Sequence, residues 1–347
     1  MTVRLHVMLG DGGVGKTTLA AAYSLALAEE GRNVALLSID PARRLQSALG
    51  LADLRTEVRV ATSRGALWAG LLLPDATLRR WATEALEDDA ARERLLESRL
   101  FRIVADRLAT TTDVIAAARI AEWVEQDASL TDFVVDTAPG RNGIELVRRP
   151  AALVDLLKER RLDWLRHAQP VGRWLLRALS PISGLDVIAE LVGVARSLDQ
   201  PARSAIARVE RAQALLHQPT TAFFLVTAVR EDAARGAARL AAALAEEGLA
   251  PTAVVVNRTL PLDVGEGLAA LDTSALGAEA RTVVRYARAS AEVQASLLEA
   301  AKGIASALIT LPAQSGLDEE DRLRSLVALG RVLAQRVHDH ERSAPRV

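Results

Sequence analysis

Nine residues near the start, Gly10-Asp11-Gly12-Gly13-Val14-Gly15-Lys16-Thr17-Thr18, restrict this chain more than any other feature in it. They follow an apolar run at 5–9 and open an Ala- and Leu-rich stretch that stops at Gly31, so strand, glycine turn and helix are read in succession. The pattern is G-x-x-x-x-G-K-[ST]. Its glycines let backbone amides point inward at phosphate oxygens, and the helix starting at Lys16 adds the positive end of its dipole. Gly12, Gly13, Val14, Gly15, Lys16, Thr17 and Thr18 then form a phosphate seat, with Lys16 reaching the β- and γ-phosphates and Thr17 ligating Mg²⁺. Three of the 43 basic residues are lysines, at 16, 158 and 302, so a lysine inside the glycine loop is a specific choice.

Further apolar runs at 34–39, 133–135, 223–226, 253–256 and 308–311 each give way to turn or polar residues. Short runs without alternation suit parallel strands covered on both faces. Helical stretches lie between them, one closing at Gly248 as the first closes at Gly31. This alternation predicts an α/β fold, a doubly wound and mostly parallel sheet with ligands at the carboxyl ends of its strands. Two stretches do not alternate, about 74–125 and 150–216, and their three- and four-residue apolar spacing predicts a helical subdomain inserted around the sheet. Residues 1–340 are thus read as a single domain and 341–347 as a disordered tail.

Two acids stand at predicted strand ends. Asp136 follows the run 133–135, where a carboxylate can hold the Mg²⁺ shell. Asp40 follows 34–39, where one can orient or deprotonate an attacking water and sit beside the metal. Gly10, Gly12 and Gly15 with Asp40 also satisfy a dinucleotide-binding pattern, so an NAD(P)-dependent oxidoreductase is the competing reading. The Lys-Thr-Thr run and the second acid count against it.

The 43 basic and 44 acidic residues leave a formal charge of −1, which gives no electrostatic footprint for nucleic acid and argues against a DNA-partitioning ATPase. No apolar run reaches the roughly 18 residues of a membrane span, and the start lacks a secretory signal, so a cytoplasmic protein is expected. There is no cysteine, which excludes disulfides, thiolate zinc sites and thiol nucleophiles. The five histidines show no metal-ligand spacing.

Taken in order, four motifs resemble the ArsA/GET-type branch of P-loop ATPases (SIMIBI-type, with a deviant Walker A), which includes arsenite-pump ATPases and targeting ATPases for tail-anchored membrane proteins. The family's K-G-G-x-G-K-T-T is matched by 11–18, its D-P-A-x-x-L by Asp40-Pro41-Ala42-Arg43-Arg44-Leu45, and its D-T-A-P by Asp136-Thr137-Ala138-Pro139. Val256-Asn257-Arg258 and Leu311-Pro312 resemble its late nucleotide-side turns. The resemblance implies that Asp40 and Lys16 act in catalysis, that Thr17, Asp40 and Asp136 surround Mg²⁺, and that Asn257, Arg258 and Pro312 lie at the base or ribose of ATP. It further implies a nucleotide-switched dimer whose helical region holds a protein client.

One departure stands out. The family's first lysine, which in dimeric members reaches the partner's phosphates, is replaced by Asp11. A carboxylate about 4 Å from a phosphate charge would cost on the order of 4 kcal/mol at an effective dielectric near 20, so Asp11 must turn away or meet a cation. The choices are a slow ATPase or a nucleotide-binding subunit with little turnover, a homodimer in which an arginine such as Arg141 or Arg43 substitutes, or, as favoured, a heterodimer with a lysine-bearing paralogue. Absent cysteines also remove the family's thiolates for metalloid and for a zinc-clamped dimer. The apolar stretch 170–194 could line a client groove, although core packing explains such a face equally well.

Overall fold

A computed structural model describes residues 3–40, 44–84, 112–140, 143–150, 207–230, 232–313 and 322–343, together with Glu93 and Ser204. The chain divides into two compact units, one of Met1–Leu71, Ala128–Ile144 and Gln218–Val347, the other of Leu72–Asp127 and Glu145–His217.

The first unit is built on one eight-stranded sheet. Its strands are β1 (Arg4–Gly10), β2 (Asn33–Ser38), β3 (Val58–Val60), β4 (Ala66–Leu71), β5 (Asp132–Asp136), β6 (Ala222–Ala228), β7 (Ala253–Thr259) and β8 (Ala307–Pro312), in the order β3-β4-β2-β5-β1-β6-β7-β8. Every neighbouring pair is parallel except β3 with β4. The chain builds β2, β4 and β5 on one side of β1 and β6, β7 and β8 on the other. The carboxyl end of β1 is therefore the switch point at which such sheets leave a ligand crevice. β5 and β6 are buried along their whole length, and β1 at every residue after Arg4, which is why these strands read as unbroken apolar runs.

Helices α1 (Lys16–Glu29), α2 (Arg44–Leu49), α5 (Ala233–Glu246), α6 (Leu262–Ala270), α7 (Ala278–Ala301) and α8 (Arg322–Ser343) belong to the same unit, with α3 (Pro74–Glu84) and α4 (Thr112–Gln126) in the other. α1 is buried from Leu19 to Ala28 without a polar face, because α8 covers the side the sheet does not. α8 carries an apolar stripe, Leu326, Leu329, Leu333 and Val337, into that core, so its amphipathic character is spent on packing rather than on a membrane surface. It runs to Ser343, past the boundary at 341 where the sequence suggested disorder.

Two strands escaped the sequence reading. β4 is Ala-Leu-Trp-Ala-Gly-Leu, with little β-branched character. Trp68 is on this strand and 36% exposed. β3 is three residues long and antiparallel.

In the second unit, α3 and α4 meet over a buried carboxylate. Glu122 accepts from Trp81 Nε1 at 2.6 Å and from Arg80 Nη2 at 2.6 Å, and pairs with Arg119 at 3.1 Å and Arg208 at 3.2 Å. The proposed client stretch 170–194 lies outside the described residues, as do Trp164 and Trp174. Among the described residues no helix is long and apolar enough to cross a membrane.

Candidate functional site

The phosphate loop leaves the end of β1 and is held in shape by backbone that only glycine tolerates. Gly13 has φ 77° and Gly15 φ 95°, both in the left-handed region, and Gly15 caps α1 in that conformation. A side chain at Gly15 would also collide with Asn257, whose Nδ2 would lie 2.4 Å from the new β-carbon. Two more contacts fix the loop: Gly140 N–H donates to Gly10 O at 2.9 Å, and Thr137 Oγ1 donates to Met8 O at 2.6 Å. The Asp-Thr-Ala-Pro-Gly turn after β5 thus clasps the root of the loop.

Lys16 folds back over the loop, donating from Nζ to Gly10 O at 2.8 Å and Asp11 O at 2.9 Å. It is 6% exposed, and burial pulls its pKa below the ordinary lysine value against the opposing pull of Asp136, Asp40 and Asp11; Arg44 lowers it further. An ammonium in that position gains strongly from a phosphate arriving beside it.

Asp136 ends β5 and is fully buried. Ser38 Oγ donates to its Oδ2 at 2.8 Å, while Oδ1 has no hydrogen-bond partner. Burial pushes its pKa up to about 6, although the hydroxyls of Ser38 and Thr17 and the charge of Lys16 pull the other way. Asp40 follows β2 and is 6% exposed, its Oδ2 accepting from Arg44 Nη1 at 3.2 Å. Ile39 N–H donates to Asp136 O at 2.8 Å, which ties the two acidic strand ends together.

Gly13, Gly15, Lys16, Thr17, Thr18, Asp40 and Arg258 line one cavity of about 680 Å³, together with Arg44, Arg322 and part of α2 and α8. That volume falls in the usual range for small-ligand sites, roughly 300–1,000 Å³. Val14 instead points into the core, and Gly12 is on the exposed rim, where its carbonyl accepts from Arg230 at 3.4 Å. Asn257 donates from Nδ2 to Val14 O at 3.0 Å and accepts from Arg258 N–H at 3.0 Å, so both ends of its amide are engaged in bracing the loop. Arg258 holds φ 59°, the one positive φ outside glycine among the described residues. Pro312 is exposed at the end of β8 and does not line the cavity.

Asp11 turns its carboxylate off the seat. A β-carbon on Gly236 of α5 would fall 2.6 Å from Asp11 Oδ2, and one on Gly140 3.8 Å from Oδ1. Arg43 and Arg141 lie outside the described residues. Ser38, Arg44 and Arg322 were not anticipated. Arg44 has a local signal, four residues after Asp40, whereas Arg322 arrives from α8 and has none.

A family model described as anion-transporting ATPase matches residues 3–274. The chain belongs to the anion-transporting ATPase family. Among relatives of this ATPase-family chain, an arsenical pump-driving ATPase of Acidiphilium multivorum is 26% identical over 257 residues, covering 73% of this chain and 39% of the relative. An uncharacterized protein of Streptomyces coelicolor is 30% identical over 277 residues, covering 75% and 64%. A putative ATPase of Mycobacterium tuberculosis is 25% identical over 262 residues, covering 75% and 66%. The chain spans 39%, 21% and 33% of three arsenical pump-driving relatives, well under their full length.

Proposed function

We propose that this anion-transporting ATPase family member is a cytoplasmic, Mg²⁺-dependent ATP-hydrolysing switch that works as a dimer and couples its nucleotide state to a protein partner of the helical unit. The observation that carries the reading is the gathering of Lys16, Thr17, Asp40 and Asp136 at the carboxyl ends of β1, β2 and β5, beneath the amides of the phosphate loop. A nicotinamide cofactor has no use for a buried lysine flanked by two acids.

The residues fit a hard divalent cation. Asp136 offers a buried oxygen without a partner, and Thr17 and Asp40 add a hydroxyl and a second carboxylate, an all-oxygen set of the kind Mg²⁺ prefers. Held by Thr17, Asp40 and Asp136, Mg²⁺ would supply positive charge against the negative charge that develops on the phosphates. The protein's own contribution is placement: loop amides and Lys16 hold the triphosphate, and Asp40 orients the attacking water and accepts its proton.

One feature supports the switch. The segment 137–140 is bonded to the end of β1 at Met8 and Gly10, where the phosphate loop begins, and leads along the chain into the helical unit, which resumes at Glu145. A γ-phosphate contact there can reach the helices through a few residues of backbone, the way order in a nucleotide switch segment is set. The chain has no cysteine, so the cargo named for the arsenical pump-driving relatives is not proposed for it.

Asp40→Asn should keep ATP affinity and lower phosphate release by at least about 10²-fold, a typical general-base or positioning contribution. Equal turnover would remove Asp40 from the mechanism. Lys16→Ala should abolish the rise in melting temperature given by Mg²⁺ and ATP, and an unchanged rise would overturn the assignment of the loop.

A further inference from the structure

Phosphoryl transfer spreads negative charge over the γ-oxygens and the leaving oxygen, and rapid nucleotide hydrolases answer it with a cation beyond the loop lysine. In this chain the phosphate loop supplies Lys16 alone, since Asp11 is an acid turned toward Gly236. A second cation must come from elsewhere.

Arg44 meets the requirement on four counts. It lines the same cavity as Lys16, Thr17 and Asp40. Its Nη1 already touches Asp40 Oδ2 at 3.2 Å. Its charge also bears on the Lys16 ammonium, lowering that group's pKa. Its side chain is 57% exposed, so the guanidinium can reorient without first leaving a buried site. Arg322, another arginine of the cavity, is committed to the carbonyl of Ser47 at 2.7 Å.

We infer that Arg44 is a catalytic arginine acting within its own chain: when ATP binds, its guanidinium exchanges the Asp40 carboxylate for a γ-phosphate oxygen. The exchange does two things at once. It takes the guanidinium off the Asp40 carboxylate, and it places a delocalised, permanently charged fork on the phosphoryl group. In the step itself the water oxygen bonds to the γ-phosphorus, and the bond to the bridging oxygen breaks with its electron pair remaining on ADP. The water's proton passes to Asp40, and Arg44 keeps its own protons. This inference rests on the ATPase reading above.

The test compares wild type, Arg44→Gln and Arg44→Lys in steady-state ATP hydrolysis, in melting with Mg²⁺ and ADP, and in trapping with ADP and aluminium fluoride, which mimics the transferring phosphoryl group. Arg44→Gln is expected to lower kcat by at least about 10²-fold with KM changed by less than about threefold, since the contact is made mainly in the transition state. Its ADP-dependent melting shift should match wild type while fluoride trapping is lost, and Arg44→Lys should recover part of both turnover and trapping. A purely structural role would instead lower the melting temperature of the free protein and leave trapping intact, which overturns the inference, as does turnover by Arg44→Gln within about threefold of wild type. A wild type without turnover brings down the ATPase reading and this inference together. An active wild type with an unaffected Arg44→Gln removes Arg44 alone.

Discussion

β5 carries two buried carboxylates, one at each end, and the protein treats them in opposite ways. Asp132 is 1% exposed and fully provided for: His6 Nε2 lies 2.9 Å from Oδ1, Arg32 Nη1 donates to the same oxygen at 3.1 Å, and Thr131 Oγ1 donates to Oδ2 at 2.8 Å. Burial alone would raise its pKa, yet these partners outweigh it and hold the carboxyl below the ordinary range. Asp136 is 0% exposed, keeps one oxygen without a partner, and burial prevails. On a single five-residue strand, a satisfied acid marks structure and an unsatisfied one marks a place kept for something that arrives later.

Substitution of each acid is the strongest way to break this contrast. Asp136→Asn should cut Mg²⁺-dependent ATP turnover by at least about 10²-fold, measured as phosphate release, while the free protein melts no lower than wild type. Asp132→Asn should do the reverse. It should lose about 1–3 kcal/mol of stability in denaturant unfolding, because it removes the charged acceptor shared by the buried His6 and by Arg32, and keep nucleotide-dependent stabilisation intact. A turnover defect in the second variant, or a large stability loss in the first, would erase the distinction.

Acidity sharpens it further. An Asp136 carboxyl at about 6 in the fold, against about 4 in the unfolded chain, binds more protons when folded. The free protein should therefore lose up to about 3 kcal/mol as pH rises from about 4 to about 6. Over the same window Mg²⁺ and ATP should bind more tightly as that carboxyl ionises. Asp132 has the opposite sign: its contribution is present above about pH 4 and disappears as the medium becomes more acidic than that. Unfolding free energies across this range, in wild type and each Asn variant, assign the slopes. The smallest effect belongs to Ser38→Ala. It removes the 2.8 Å hydrogen bond to Asp136 and should move the midpoint of Mg²⁺-ATP binding up by about half a pH unit to one unit.

The same strand shows what the sequence could and could not reveal. Its apolar middle, Phe133-Val134-Val135, and the matching runs in β1, β2, β6, β7 and β8 mark buried parallel strands because both faces are covered. β4 is held to β2 by backbone pairing from Asn33–Ala66 to Ser38–Leu71, and backbone pairing leaves little trace in an Ala- and Gly-bearing segment. In the site, the loop and its two acids lie within local motifs and were legible. The direction of Asp11, the amide of Asn257 spanning to Val14 and the arrival of Arg322 from the last helix depend on residues far apart in the chain.

Gly330 has a consequence of its own. A β-carbon there would lie 1.8 Å from the carbonyl oxygen of Ala22, so α8 and α1 touch backbone to backbone with no slack between them. The helix that opens at Lys16 is thereby keyed into its neighbour like a drawer in its runner. Adding one methyl group at Gly330 would have to slide or tilt α1, and the displacement would be carried to the amino end of α1, where the phosphate loop closes. On the proposed function, a substitution at Gly330 would detune nucleotide affinity from outside the site itself.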